Sequence, residues 1–225
     1  MVDVRHDGDV AEVIAGLTGH CLPSHGYLGS SAVIGARRHS RRVYRCPVTS
    51  DSTFRVLFVC IGNICRSPLG AALLKSRLTG PGFEVDSAGV MALVSHEMEP
   101  NAASFAVAEG IDVSGFRSQQ LTAHHVTHSD LILTATKDLR SRVLSDTPGA
   151  LRRTFSVLEF AALLDIVEPL ADPRALVASA AAARSQARLE TYDIPDPYRR
   201  GPEAHALAAQ LMGDAVDRIA KGLNG

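Results

Sequence analysis

The stretch Val59-Cys60-Ile61-Gly62-Asn63-Ile64-Cys65-Arg66-Ser67-Pro68 joins two elements whose patterns are plain on either side. Upstream, Phe54-Arg55-Val56-Leu57-Phe58-Val59 is a short apolar run rich in β-formers and reads as a buried strand. Downstream, residues 68–78 carry helical periodicity, and Pro68 falls in the first turn, where its missing N–H is no loss. The connection contains Gly62 and Asn63, the two residue types that most readily take φ > 0. A loop running from a strand end to a helix N-terminus aims backbone N–H groups into one concavity, and the helix dipole adds positive potential there. An oxyanion such as phosphate fits that concavity. Arg66 is placed to complete the cradle with two parallel hydrogen bonds, and the same field favours a thiolate at Cys60. Ser67 can donate its hydroxyl to that sulfur. The segment therefore reads as an oxyanion cradle built from Ile61, Gly62, Asn63, Ile64, Cys65 and Arg66, with Cys60 as a nucleophile at its base.

Outward from the loop, strand and helix patterns alternate. Residues 83–87, 131–135 and 154–156 read as further strands, and residues 99–109, 138–144 and 158–164 as helices between or after them. That alternation implies βαβ units, hence an α/β fold with three α/β/α layers and a four-stranded parallel sheet, the phosphate-binding loop lying at the end of the first strand. Two more helical tracts close the chain. One spans 175–190, alanine-rich and without a clear apolar face, and is expected at the periphery. The other spans 202–223, with Ala204, Leu207, Ala208, Leu211, Ala215, Ile219 and Leu223 at helical spacing, and is expected to dock on the sheet.

Residues 1–52 follow a different pattern: a short apolar patch, then Gly/Ser punctuation, then a basic cluster from Arg37 to Arg45. They read as a weakly ordered extension preceding a domain over 53–225 that carries an Ala-rich insert near 173–190. The basic cluster is either a handle for an acidic partner or a solvated tail. Cys21, Cys46, His20 and His25 lack zinc-site spacing, and His124, His125 and His128 read as a polar loop, so no metal and no cofactor is expected. Lys and Arg number 23 against 24 Asp and Glu, leaving no global field to hold nucleic acid or a membrane surface. Four cysteines in 225 residues are not a disulfide framework. With neither a basic leader nor a long apolar run, the chain is expected to be cytoplasmic. Aromatics make up 5% and Trp is absent, so the core must be aliphatic.

The loop resembles the signature Cys-x-Gly-Asn-x-Cys-Arg-Ser-Pro of the low-molecular-weight protein tyrosine phosphatases. Two further segments agree: Asp193-Ile194-Pro195-Asp196-Pro197-Tyr198 is similar to the family's Asp-Pro-Tyr loop, and Asp86-Ser87-Ala88-Gly89 to its Ser-Ala-Gly turn. The resemblance covers residues 54 to about 223. It implies that Cys60 attacks phosphorus and forms a cysteinyl-phosphate, while loop amides and Arg66 hold the equatorial oxygens. It implies further that Asn63 keeps the loop in shape and that Asp196 protonates the leaving oxygen, then takes a proton from the hydrolytic water. Asp193 is the competitor for the acid role. Cys65 has two readings: a redox partner that shields the nucleophile, as in relatives, or a small packed residue.

The sequence also departs from the family. Only Tyr198 remains of an aromatic pair, followed by Arg199 and Arg200, which either attract an acidic peptide or are surface charge. The segment 90–96 lacks the aromatic wall residue and offers Leu93 instead. Residues 116–120 (Phe116-Arg117-Ser118-Gln119-Gln120) stand where many relatives have His-x-Ala-Arg-Gln. Ile64 resembles tyrosine-directed members, since phosphoarginine-directed ones usually have Thr there. The activity the resemblance implies is phosphomonoester hydrolysis through the cysteinyl-phosphate, directed at phosphotyrosine, the substrate being a phosphorylated protein or a small aryl phosphate. The alternatives are arsenate reduction with an external thiol, since no cysteine follows Cys65, and a non-catalytic phospho-ligand module.

Overall fold

The computed structural model describes residues 53–80 and 82–225. The expectations for residues 1–52, with Cys21, Cys46, His20, His25 and the basic cluster, lie outside the described residues. β1 (Phe54–Cys60) pairs in parallel with β2 (Phe83–Gly89) on one side and β3 (Leu131–Thr134) on the other, and β4 (Thr154–Ser156) follows β3, giving the order β2-β1-β3-β4. The central place of β1 explains its apolar run. Phe54, Val56 and Phe58 enter one face of the core with Leu131, Leu133 and Phe155, while Leu57 and Val59 enter the other with Ile132. Successive side chains alternate between two buried faces, so both parities must be apolar.

The helices are α1 (Arg66–Arg77), α2 (Pro100–Ala108), α3 (Ala123–Thr127), α4 (Lys137–Asp146), α5 (Val157–Leu164), α6 (Pro173–Ala182) and α7 (Gly201–Asn224). α1, α5, α6 and α7 cover the face of Phe58, and α3 and α4 the face of Leu57. The three layers expected from the alternating pattern are present. Local chemistry sets the helix starts. Ser156 and Glu159 form a reciprocal capping box on α5, and Thr136 accepts the Leu139 N–H of α4. α1 packs close against both β1 and α7 at Gly70, where a Cβ would stand 2.7 Å from Met212 Sδ and 2.8 Å from the Phe58 ring. Among the described residues no helix is long and apolar enough to cross a membrane.

Four expectations need correction. α1 begins two residues before Pro68, which puts Arg66 and Ser67 on the helix rather than in the loop. The alanine-rich tract is α-helical over Pro173–Ala182, with a 3-10 turn at Arg184–Gln186, and is not peripheral: Leu176, Val177 and Ala180 lie in the main core. Its helix stops where Arg184 turns in toward Glu159 at 3.4 Å and donates to the carbonyls of Leu151 and Thr154. The buried stripe of α7 is rotated from the one expected. Leu207 is 51% exposed, while His205, Ala209, Met212, Val216 and Ala220 join Ala208, Ala215, Ile219 and Leu223 inside. Alanines at the contact let the helix backbone lie close to α1 and α5, and the longer Met212 fills the remaining space. Finally, His124 and His125 lie on the short helix α3, not in a loop; Thr122 and His125 form its capping box, and the His124 and His128 rings stack at 3.9 Å.

Candidate active site

β1 ends at Cys60 and α1 begins at Arg66, so the connecting loop lies over the carboxyl end of the central strand. Its carbonyls are drawn outward. Those of Cys60, Ile61, Gly62 and Ile64 accept the amides of Val90, Met91, Leu93 and Glu99 at 2.8–3.0 Å. In a trans peptide plane the carbonyl and the following N–H point opposite ways. The amides of Ile61, Gly62, Asn63 and Cys65 therefore face the concave side. The Asn63 N–H proves the direction, since it donates to Cys60 Sγ at 3.2 Å.

Asn63 is the pivot. It alone within the loop adopts positive φ, at 55°; Gly62 does not. Its side chain is fully buried and saturated: Nδ2 donates to Ser67 Oγ and to Ser87 Oγ, each at 2.9 Å, and Oδ1 accepts the Gln119 amide at 2.8 Å. Because Ser67 Oγ accepts from Asn63, its single hydrogen is left to donate. Cys60 Sγ at 2.9 Å is the nearer acceptor and the Ala88 carbonyl at 3.5 Å the farther. Asn63 thus orients the hydroxyl that faces the sulfur. Ser87-Ala88-Gly89, which forms the end of β2 rather than a turn after it, has a reason of its own. Ser87 receives Asn63, and a Cβ on Gly89 would lie 2.5 Å from the Ile61 carbonyl oxygen and 2.9 Å from the Asn63 nitrogen.

Arg66 is 4% exposed and bridges to the segment 193–198. Its Nη1 donates to the Ile194 carbonyl at 3.1 Å and its Nη2 lies 2.9 Å from Asp196 Oδ2. Its Nε is buried and without a hydrogen-bond partner. The segment is held in place where the Ile194 amide donates to the Ala135 carbonyl just past β3. Asp193 turns the other way, accepting the Lys137 amide at the start of α4 at 2.8 Å. Of the two aspartates, the structure brings only Asp196 to the loop.

Over the loop lies a cavity of about 170 Å³ lined by Cys60, Cys65, Arg66, Asp196 and the loop backbone, with Leu93 and Tyr198 also among its lining residues. Met91 is an additional wall residue, and it and Ile61 are exposed there. The wall is aliphatic apart from Tyr198. Arg199 folds over the Tyr198 ring with its guanidinium carbon 5.1 Å from the centroid, and Arg200 precedes α7 and is exposed. Cys65 is the other described cysteine, a free thiol like Cys60. Burial, reinforced by the nearby Glu99 carboxylate, pushes its thiol up to about 12. It packs with Ile64, Met98 and Ala102.

Residues 55–180 match the family model described as low molecular weight phosphotyrosine protein phosphatase. The chain belongs to this family. Its relatives include the protein-arginine-phosphatase of Geobacillus stearothermophilus, 36% identical over 76% of this chain and 96% of that one. The low molecular weight protein-tyrosine-phosphatase Etp of Escherichia coli K12 is 31% identical over 75% and 94%. Among solved structures, the tyrosine phosphatase Wzb of Escherichia coli K30, in complex with sulphate, superposes with a TM-score of 0.59 at 29% identity, covering 76% of this chain and 99% of that one. Low molecular weight phosphatases are cysteine-based, and this chain is a cysteine-dependent phosphatase. The family's four-stranded parallel sheet, with the loop at the end of β1, is the fold described above.

Proposed function

We propose that this phosphatase hydrolyses phosphotyrosine in proteins, with Cys60 as nucleophile, Arg66 and the loop amides as oxyanion holders, Ser67 as the donor to the sulfur and Asp196 as general acid. The observation that carries the reading is the convergence at one cavity of Cys60 Sγ, held by Asn63 N–H and Ser67 Oγ, with the Arg66–Asp196 pair. Cys60 sulfur attacks phosphorus; the S–P bond forms as the P–O bond to the leaving group breaks, and Asp196 delivers its proton to that oxygen. In the second half, Asp196 takes a proton from water, which attacks phosphorus and returns the thiolate. Inward amides and the guanidinium strengthen their hold as charge spreads over the equatorial oxygens.

Arg66 Nε–H is a buried donor without a protein acceptor, the kind of group an oxyanion satisfies. Before substrate enters, Asp196 occupies Arg66 Nη2, so the incoming phosphate displaces a carboxylate that must then carry a proton to act as an acid. For tyrosine, the support is Ile64, which lines the cavity where phosphoarginine-directed relatives usually carry Thr, and Tyr198, which offers a ring at the mouth. The 36% identity with a protein-arginine-phosphatase favours a second reading, phosphoarginine. The family match beginning at residue 55 supports taking 53–225 as the catalytic domain. A nucleophile that must stay reduced suits the cytoplasm.

The test is turnover of matched phosphotyrosine, phosphoserine and phosphoarginine peptides with the wild-type protein and Cys60→Ser. The expected result is preference for phosphotyrosine, no turnover by Cys60→Ser, and retained vanadate binding by that variant. Turnover by Cys60→Ser overturns the mechanism; preference for phosphoarginine overturns the substrate.

A further inference from the structure

At the Cys65 end of the loop, three donor groups from three elements converge. They are Cys65 Sγ, a Glu99 carboxylate oxygen and a His205 ring nitrogen, all within 4.8 Å of one another. Glu99 Oε2 stands 3.3 Å from His205 Nδ1. Cys65 precedes α1 but makes no side-chain cap bond to it, so its thiol is not consumed by the helix. Glu99 is fixed beside it from both ends: its amide donates to the Ile64 carbonyl at 2.8 Å, and its carboxylate accepts the Ala102 amide at 3.1 Å and Asn101 Nδ2 at 2.9 Å. His205 sits on the buried stripe of α7, a polar ring among Ala208, Ala209 and Met212. A small cavity of about 10 Å³, walled by Cys65, His205, Leu69, Ala102 and Pro197, opens beside them.

We propose that Cys65, Glu99 and His205 form a binding site for a zinc-class divalent cation. Sulfur, imidazole nitrogen and carboxylate oxygen are the donor set that zinc takes and that magnesium and calcium do not. At ordinary zinc bond lengths, ligand atoms on a tetrahedron lie roughly 3.3–3.6 Å apart. The Glu99–His205 separation of 3.3 Å already has that spacing, and the Cys65 sulfur lies within 4.8 Å of both. Two anionic ligands and a neutral imidazole balance a divalent ion, and the neighbouring Arg66 charge is met by Asp196. The adjoining cavity has room for roughly one water as fourth ligand. On binding, the Cys65 S–H bond breaks, a sulfur–metal bond forms and the proton passes to the buffer, with no change of oxidation state.

The consequence is mechanical. Cys65 contributes one of the inward amides of the cradle, so an ion on its sulfur ties the loop to the start of α2 and to α7. The inference goes beyond the phosphatase reading and does not rest on it. Positions 65, 99 and 205 have no spacing signature, so the sequence alone does not mark them as ligands.

The test uses the full chain carrying Cys60→Ser, stripped with chelator, so that neither turnover nor the nucleophile contributes. Zinc is titrated by calorimetry and cobalt(II) by absorption. One equivalent is expected, with thiolate-to-cobalt charge transfer, tetrahedral d–d bands and a melting temperature that rises with zinc concentration. Adding Cys65→Ser or His205→Phe, each checked for folding by circular dichroism, should weaken binding at least about tenfold. Should Cys65→Ser fail to fold, His205→Phe and Glu99→Gln give the same readout. Absence of saturable binding overturns the proposal. So does binding that survives His205→Phe, whether it is then lost with Cys21→Ser, with Cys46→Ser or with neither.

Discussion

Two aspartates three positions apart have opposite surroundings, and the difference is testable one side chain at a time. Asp196 faces the guanidinium of Arg66, whereas Asp193 accepts the first amide of α4. Asp196→Ala should lower kcat by about 10²–10⁴-fold, most for substrates with poor leaving groups, because a developing phenolate or alkoxide then departs unprotonated. Asp193→Ala should leave kcat within a few-fold and lower stability by about 1 kcal/mol through loss of a helix-start bond. A leaving-group series measured on both variants, with denaturant unfolding alongside, checks the assignment. Equal losses of kcat would show that Asp196 is not the acid. The sequence favours Asp196, which directly precedes Pro197 in the Asp-Pro-Tyr loop, with Asp193 as competitor; in the structure Asp193 accepts the amide of Lys137, 56 positions upstream, while Asp196 faces Arg66. Ser67 and Arg66, by contrast, were legible from adjacency to the nucleophile, since the strand-to-helix turn fixes their direction.

At the scale of elements, the loop is shaped less by its own sequence than by the segment that follows β2. Amides of residues 90–99 take the loop carbonyls, and Gly89 packs against the loop backbone. Gly89→Ala puts a methyl group against two backbone atoms, neither of which has a flexible end to swing away. The loop must shift, and the expected outcome is a fall in kcat/KM of tenfold or more, about 1.4 kcal/mol at the least, with vanadate affinity falling in parallel. Unchanged vanadate affinity would mean that the cradle tolerates the shift. The strands and most helices were legible because their periodicities are local. The face of α7 was legible only in part: Ala208, Ala215, Ile219 and Leu223 are buried as their spacing implies, but Leu207 is exposed and His205, Ala209, Met212 and Val216 share the contact. Which stripe of a helix is buried depends on how closely the partner helices approach, and that is a property of α1 and α5 rather than of α7. The alanine-rich tract was misplaced for the same reason, since small side chains give weak amphipathic signals while permitting the closest packing.

For the molecule as a whole, the buried thiol of Cys65 links stability to pH. Burial holds its folded value at about 12, above the ordinary thiol value of 9.0. The folded state therefore holds the proton more tightly than the unfolded state. Its contribution to stability is fully present below about pH 9 and is lost as pH rises from there through about 12. In chelator-treated protein, denaturant midpoints should fall over the alkaline range, and Cys65→Ala should flatten that fall while costing stability at neutral pH. Equal alkaline slopes in the two proteins would remove Cys65 as the cause.

The site also draws its parts from both halves of the described chain. Cys60 and Asn63 follow the first strand, yet Arg66 is bound to Ile194 and Asp196, and α7 closes over α1, where Asn224 meets Thr79 and Arg77. During synthesis, β1 and α1 emerge long before the segment that neutralises Arg66 and the helix that covers Leu69 and Leu74. A nascent chain therefore carries Cys60 and the Arg66 guanidinium without a finished pocket. Activity should thus report that residues 193–224 have folded onto β1 and α1.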